Sequence, residues 1–206
     1  MADFTAKDVQ KLRKRSGVGM MDAKKALVDA DGDMDKAHDL LRERGLAQAA
    51  KRAGREANEG TIGNYLHHQS GHPVMGVLVE LACETDFVAK SQEFNAVAND
   101  IAMHVSWAAP RWIARNEVPE EILAHESDLI ARAARSEGKP ERIIPRIVQG
   151  RMEKFYVENV LNDQVFVNSQ KFEGTVGELV TGLAAKMGEN IKVRRVSRVA
   201  VGEQDS

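Results

Sequence analysis

The chain has 206 residues, of which 43% are hydrophobic and 29% are charged, with a net charge of −2. These values are typical of an ordinary soluble globular chain of one or two domains. No apolar run approaches the roughly 18 residues that a membrane span requires, and the first residues lack the apolar segment of a secretory signal. The single cysteine, Cys83, excludes an intramolecular disulfide and fits a reducing compartment, so we expect a cytoplasmic protein.

Charge is unevenly distributed along the chain. Residues 1–55 carry 13 Lys and Arg against 9 Asp and Glu, a net charge of +4, although the whole chain is acidic. A basic block of this size is compatible with a nucleic acid or with an acidic protein partner. Aromatic residues make up only 5% and form no cluster of the kind that stacks bases. A ribosome- or RNA-associated binding protein is therefore an alternative with little support.

The first 45 residues predict three short helices. Thr5 and Asp8 have the spacing of a capping box, and the helix that they open ends at the breaker cluster Ser16–Gly19. A second helix follows this cluster. A third begins with Asp33 as its N-cap and is predicted to end at Gly45, a C′ glycine. So small a core suits a compact docking module.

The middle and the end of the chain predict an α+β core. The Ala-rich, basic residues 46–57 predict a helical connector, beyond which Thr61–His68 and Val74–Cys83 predict the two strands of a hairpin. Late in the chain, Thr175–Met187 predicts a helix and Ile191–Val201 a closing strand. Together these elements predict a three-stranded antiparallel sheet covered by helices.

A segment of different composition interrupts this core. Pro119 opens a helix, Gly138–Pro140 forms a turn, and a second helix runs toward Val160, which predicts an antiparallel helical hairpin. Pro145 predicts a kink or a delayed start in the second helix. The predicted division is a docking module with its connector (1–57) and an α+β core (58–117 and 163–206) with the inserted hairpin (118–162).

The connection after the second strand carries an acid and an aromatic residue side by side. Asp86 and Phe87 stand between the strand that ends at Cys83 and a helix that Ser91 can cap. Loops held by rigid elements concentrate binding groups, and an aromatic residue at such a tip is a typical interface anchor. The alternative is that Phe87 folds back into the core.

Residues that could carry catalysis or hold a metal are sparse. The neighbours His67 and His68 point to opposite faces of a strand, and together with His72 they lack a second ligand pair at zinc-site spacing. The sequence contains no phosphate-binding loop, and Cys83 has no visible activating base. We expect no enzyme activity, no cofactor and no bound metal; a metal-dependent enzyme built on the three histidines is a second alternative.

Two further features suggest contact surfaces. Met20 and Met21 start a helix next to the basic residues Arg13 and Lys24, and methionines are adaptable contact groups. We expect one of the two to belong to the core. By the 3.6-residue period, His104 lies at the flank of the apolar stripe of its helix. A residue at the boundary of the core is the simpler interpretation of that histidine.

Six segments, in chain order, resemble one family of translation factors. They are Leu12–Leu27, Thr85–Lys90, Ile101–Val105, Gly138–Pro140, Gly150–Met152, and Gly188–Ile191 with Val193–Arg195. Together they resemble the elongation factor Ts family, whose members exchange guanine nucleotides on elongation factor Tu. Long members carry two successive core subdomains, whereas this chain has room for one and resembles the short form, in which two chains pair.

The resemblance implies a function and a set of contact residues. It implies that residues 1–55 form a ubiquitin-associated-like three-helix module that docks on the GTPase, and that a loop enters the GTPase near its magnesium site. It implies elongation factor Tu and a second copy of this chain as partners, with neither nucleic acid nor membrane. The implied contact residues are Arg13, Met20, Met21 and Lys24 in the module, Thr85, Asp86, Phe87 and Val88 in the loop, and His104 in the core.

Overall fold

A computed structural model describes residues 4–16 and 18–203, so Gly17 of the predicted breaker cluster lies outside the described residues. Within these ranges the fold is α+β, as predicted, with eight α-helices and a three-stranded antiparallel sheet. No helix in this described part is long and apolar enough to cross a membrane. The helices are α1 (Ala6–Ser16), α2 (Met20–Asp29), α3 (Met34–Arg52), α4 (Asp86–Ala89), α5 (Gln92–Ala108), α6 (Glu120–Ser136), α7 (Ile144–Asn159) and α8 (Val176–Met187), and the strands are β1 (Glu59–Gln69), β2 (His72–Cys83) and β3 (Lys192–Ala200).

The chain forms two compact units. The first comprises Met1–Gly60, Ala82–Ser91 and Val180–Lys192, and the second comprises Thr61–Leu81, Gln92–Leu179 and Val193–Ser206. The first unit therefore contains the three N-terminal helices, α4 and most of α8. The second contains most of the sheet together with α5, α6 and α7.

Helices α1, α2 and α3 pack around a small apolar core, and the starts of α1 and α3 follow the predicted capping. The N–H of Thr5 donates to Asp8 Oδ2 at 2.8 Å, while the N–H of Asp8 donates to Thr5 Oγ1 at 3.4 Å. Asp33 caps α3 by accepting from the N–H groups of Asp35 and Lys36, each at 3.0 Å. The core residues are Val9, Leu12, Ala23, Ala26, Leu27, Ala30, Ala37 and Leu41.

The predicted end of α3 at Gly45 is wrong, because α3 continues without a break to Arg52. Gly45 is a helix-interior residue, and its lack of a side chain has a different cause. A Cβ at Gly45 would lie 2.9 Å from Ala185 Cβ on α8, a distance that real Cβ atoms essentially never show. The glycine therefore permits close approach of two helices. Residues 46–52 of the predicted connector form the last part of one long helix, whereas residues 53–57 are not helical.

The sheet has the order β1-β2-β3, with β2 in the centre. Its two long strands are joined by only two residues, Ser70 and Gly71, with φ angles of 51° and 86°. Positive φ at both positions characterises the type I′ hairpin turn, so the strands extend further toward the turn than predicted. On β1, Gly63 allows close contact with α5: a Cβ there would meet the carbonyl oxygen of Ala98 at 2.2 Å.

The inserted helical hairpin forms as predicted in its essentials. Helices α6 and α7 are joined by a turn in which Gly138 has a φ of 73°. Pro145 lies in the first turn of α7, so it delays the start of the helix and does not kink it. The side chain of Arg115 bridges Glu153 and Asp163 at 2.8 and 2.6 Å, which ties α7 to the segment that follows it.

Candidate partner-binding surface

Phe87 lies on a single helical turn directly after the central strand of the sheet. Its side chain is 84% exposed, which rules out the alternative that it folds back into the core. Thr85 is the N-cap of this turn, and its Oγ1 accepts from the N–H of Val88 at 3.4 Å. The side chain of Val88 is buried, and this burial anchors the turn. A large, exposed aromatic side chain on an anchored turn is the geometry of an interface anchor.

The acid next to Phe87 is paired within the same turn. Lys90 Nζ donates to Asp86 Oδ2 at 2.6 Å. The hydrogen bond from Lys90 and the positive charge of its ammonium group hold the pKa of Asp86 below its ordinary value. Asp86 is therefore a carboxylate at neutral pH, and any partner cation that binds it competes with Lys90.

Sequence reasoning missed the residue that fixes this turn from outside. Glu189, in the loop between α8 and β3, accepts from the backbone N–H groups of Glu84 and Thr85 at 3.0 and 3.1 Å. The only sequence signal for it was its place in one of the resembling segments, Gly188–Ile191. No local pattern could reveal the contact, because it joins residues 104 and 105 positions apart.

The predicted contact residues of the docking module are on the surface of the first unit. Met21 is 74% exposed, and Met20, Arg13 and Lys24 are exposed as well. We expected one of the two methionines to belong to the core, and that expectation is wrong. Ala23, on the next turn of α2, fills the core position.

His104 is not at the surface but almost completely buried in the second unit. Its Nδ1 accepts from the N–H of Val167 at 3.2 Å, which leaves Nε2 as the donor to Gln164 Oε1 at 3.0 Å. The imidazole also stacks on Phe166, with ring centroids 5.9 Å apart. Burial lowers the pKa of His104, so the ring is neutral at neutral pH. In this position His104 can hold the segment 164–167 in place.

The three histidines near the hairpin turn do not come together. The ring of His67 stacks against Tyr65 on the same strand, with centroids 6.3 Å apart. Across residues 4–16 and 18–203, no group of three or more His, Cys, Asp and Glu side chains is arranged to hold a metal ion. Cys83 is buried, and desolvation raises the pKa of its thiol to about 11, which makes it a poor nucleophile.

Comparisons with known proteins identify the family. The family described as Elongation factor TS matches residues 45–181. Proteins named elongation factor Ts are 49% identical in Moorella thermoacetica and 48% in Caldanaerobacter subterraneus subsp. tengcongensis, each over 200 residues. These matches cover 97% of this chain and 96% and 98% of the two relatives. A third protein of that name, from Thermosipho melanesiensis, is 46% identical, and the match covers its whole length.

The α+β fold and these matches together define a translation elongation factor, a protein of polypeptide synthesis. More narrowly, the chain belongs to the elongation factor Ts family, which confirms the resemblance of its six segments.

Proposed function

We propose that this chain is the guanine-nucleotide exchange factor of elongation factor Tu and acts in the cytoplasm. It binds the GTPase and promotes release of GDP by inserting the turn Thr85–Val88 near the magnesium and phosphate site of its partner. The observation that carries the proposal is the 84% exposure of Phe87 on a turn whose backbone is fixed. No bond is made or broken in exchange, so the factor needs a wedge and not a catalytic group.

The exchange factor and GDP are two ligands of the GTPase whose binding free energies are linked. A factor that binds the nucleotide-free GTPase more tightly than the GDP-bound form must weaken GDP binding by the same ratio. An aromatic side chain that enters the GTPase shifts the elements that hold Mg²⁺ and the phosphates. Loss of Mg²⁺ removes the charge bridge to the phosphates and thereby weakens their binding.

The remaining contact residues have two roles: four of them anchor the docking module, and His104 supports the contact made by the core. Met20 and Met21, with Arg13 and Lys24 nearby in sequence, anchor the docking module, which with its connector spans residues 1–57, on the GTPase. Their exposure in the same unit as Phe87 supports this assignment. His104 supports the contact of the core indirectly, because it orients the segment that presents the exposed Val165 and Val167.

The test is the release of a fluorescent GDP analogue from elongation factor Tu, measured with and without this chain. Wild type accelerates release strongly, and Phe87→Ala loses most of the acceleration, because a hot-spot aromatic contributes about 2–4 kcal/mol. Trp107→Ala is the matched control, since Trp107 is a second aromatic residue with 81% exposure and lies in the other unit. Acceleration that survives Phe87→Ala discards the wedge, and no acceleration by wild type discards the exchange function.

The sheet supports the proposal of a homodimer. Ile62 and Leu66 on β1 and Leu78 on β2 are all more than half exposed. Leu66 Cδ2 lies 3.4 Å from the position that a Cβ on Gly76 would take, so these alternate residues of the two strands share one face of the sheet. A second copy of this chain covers that face in the dimer, since an apolar patch on a sheet favours association.

Light scattering coupled to size-exclusion chromatography tests the dimer. The wild-type chain elutes with twice the mass of 22.7 kDa, and Leu66→Asp shifts it to the monomer. Val157→Asp, which places the same charge on an exposed apolar position of α7, leaves the mass unchanged. A monomeric wild type at micromolar concentration contradicts the homodimer and leaves the exchange function untouched.

A further inference from the structure

The turn that carries Phe87 is fixed by the loop that follows α8. The carboxylate of Glu189 accepts three hydrogen bonds from it: the N–H groups of Glu84 and Thr85 reach Oε2 at 3.0 and 3.1 Å, and the hydroxyl of Thr85 reaches Oε1 at 2.5 Å. Hydrogen bonds to an ionised group are roughly twice as strong as those between neutral groups. One side chain therefore fixes both the backbone and the hydroxyl group at the start of the turn.

The neighbouring Asn190 makes a second connection, and it is 5% exposed. Its N–H donates to Glu84 Oε1 at 2.6 Å. Its side-chain amide donates to the carbonyl oxygens of Ala53 and Arg55, at 3.2 and 2.7 Å. Asn190 thus joins the end of β2 to the backbone that leaves α3, all within the first unit.

The end of α8 makes this arrangement possible. Gly188 ends the helix with a φ of 75°, a conformation that residues with a side chain rarely adopt. The chain reverses there, so that the next two residues lie against the end of β2 instead of continuing the helix. The segment Gly188–Ile191, whose role the sequence left open, is therefore a clamp on the turn; we call Glu189 and Asn190 the clamp residues.

The clamp adds to the anchor that the buried Val88 provides, and two features of the turn make it sensitive to this second support. Helix α4 has four residues, far fewer than an isolated helix needs to be stable in water. Phe87 is 84% exposed, so burial of its ring does not fix the turn. Thr85 Oγ1 donates to Glu189 and accepts from the N–H of Val88, so the carboxylate orients the hydroxyl group that caps α4.

We propose that Glu189 and Asn190 are positioning residues for nucleotide exchange. They touch neither nucleotide nor magnesium; they hold the turn so that Phe87 enters the GTPase in one orientation. Through the carbonyl groups of Ala53 and Arg55, they also link that orientation to the end of the helix that leads out of the docking module. This inference rests on the proposed exchange function and adds to it the residues that fix the geometry of the wedge.

Exchange kinetics test the inference by separating the maximal rate from the affinity. Release of the fluorescent GDP analogue is measured as a function of factor concentration for wild type, Glu189→Ala and Glu189→Gln. Glu189→Ala lowers the maximal release rate at least about tenfold, because a misplaced Phe87 loses part of the contribution that a hot-spot aromatic makes. The concentration for half-maximal rate changes less than about threefold, because the docking module still provides binding. Glu173→Ala, an exposed glutamate of the second unit, leaves both parameters unchanged.

The conservative variant provides the rescue that a positioning role requires. A glutamine at position 189 retains one oxygen that can accept from the N–H groups of Glu84 and Thr85. Glu189→Gln therefore recovers most of the maximal rate that Glu189→Ala loses. If both variants lose the rate equally, the carboxylate contributes by its charge and the positioning role is overturned.

A double-mutant cycle distinguishes positioning from general destabilisation. Once Phe87 is alanine, the orientation of the turn no longer matters, so Glu189→Ala lowers the rate no further in that background. An equal loss in both backgrounds, or a wild-type rate in Glu189→Ala, overturns the inference. A thermal unfolding midpoint above the assay temperature shows that each variant is folded during the measurement. Asn190→Asp provides a second variant, for which the same loss of maximal release rate is expected.

The two proposals fail in different ways. If wild type does not accelerate GDP release, the exchange function fails and the positioning role fails with it. If wild type accelerates release and Phe87→Ala abolishes the effect while Glu189→Ala does not, only the positioning role fails.

Discussion

Lys90 Nζ lies 2.6 Å from Asp86 Oδ2, so the acid beside the exposed Phe87 is neutralised by a lysine one helical turn further along. Both side chains are exposed, and an exposed ion pair contributes little to the free energy of unfolding. Its consequence is local. The pair holds the carboxylate over its own turn, and a partner that uses Asp86 must first displace Lys90.

Lys90→Met separates the two partners of this ion pair while keeping the apolar stem of the side chain. Because the hydrogen bond from Lys90 is the largest cause of the lowered pKa of Asp86, the pKa of Asp86 rises in the variant. Carboxyl-detected NMR over a pH titration measures the shift directly. Lys171→Met, which removes the ion pair with Asp100 in the other unit, leaves the titration of Asp86 unchanged. An unchanged pKa in Lys90→Met would mean that the pair does not form in solution.

Local patterns were sufficient to predict most of the elements of this fold. The capping box of Thr5 and Asp8 involves residues three positions apart, and it forms as the sequence predicts. The helix predicted after Ser91 forms as α5, and the residues of its apolar stripe that are buried follow the helical period: Phe94, Ala98, Ile101 and Val105. The exposure of Phe87 was left open by the sequence, since an aromatic residue is compatible with both a core and a surface.

Features that depend on distant neighbours could not be predicted in the same way. In the sequence, Gly45 resembles a glycine that ends a helix. The close approach of Ala185 explains why a glycine stands at this position inside α3. The helical period places His104 at the flank of the apolar stripe, yet Gln164 and Val167 supply hydrogen-bond partners that allow its burial. For the same reason, the clamp on the Phe87 turn was invisible before the structure was known.

Gly45→Ala tests the close approach of α3 and α8. Alanine favours an isolated helix by about 1 kcal/mol over glycine, so a free helix would be stabilised. Here the new Cβ lies 2.9 Å from Ala185 Cβ, and we expect a net loss of about 1–3 kcal/mol from overpacking. Urea denaturation followed by circular dichroism gives the free energy of unfolding.

The reciprocal change provides the control for that prediction. Ala185→Gly removes the methyl group that the new side chain meets, so the double variant Gly45→Ala with Ala185→Gly recovers stability relative to Gly45→Ala alone. If the two substitutions simply add, the helices do not approach each other as closely as described.

Gly63→Ala tests the packing of β1 on α5. A Cβ at Gly63 would lie 2.2 Å from the carbonyl oxygen of Ala98, and a backbone atom cannot move away as a flexible side chain can. We expect a loss of about 3 kcal/mol or more in the free energy of unfolding. The matched control is Gly76→Ala on β2, where the nearest atom is a leucine methyl group at 3.4 Å and the cost is less than about 1 kcal/mol. Equal effects of the two substitutions would contradict the close approach of β1 and α5.

His104 makes the stability of the second unit dependent on pH. Burial lowers its pKa in the folded state, so below the ordinary histidine value the unfolded chain binds the proton more readily than the folded one. The stabilisation is complete above the unfolded pKa of about 6.5 and is lost as the pH falls through the folded pKa. Protonation also places a donor at Nδ1, which can then no longer accept from the N–H of Val167.

His104→Asn removes this titration, and the comparison of two pH values isolates it from the overall cost of the substitution. Between about pH 7.5 and pH 5.5, wild type loses more free energy of unfolding than the variant, by at most about 1.4 kcal/mol per pH unit. Urea denaturation, monitored by the fluorescence of Trp112 and Trp107 in the second unit, gives the free energy of unfolding of wild type and of the variant at each pH. An identical pH dependence in wild type and His104→Asn would mean that His104 titrates equally in the folded and unfolded chains, and its burial against Gln164 and Val167 would not hold in solution.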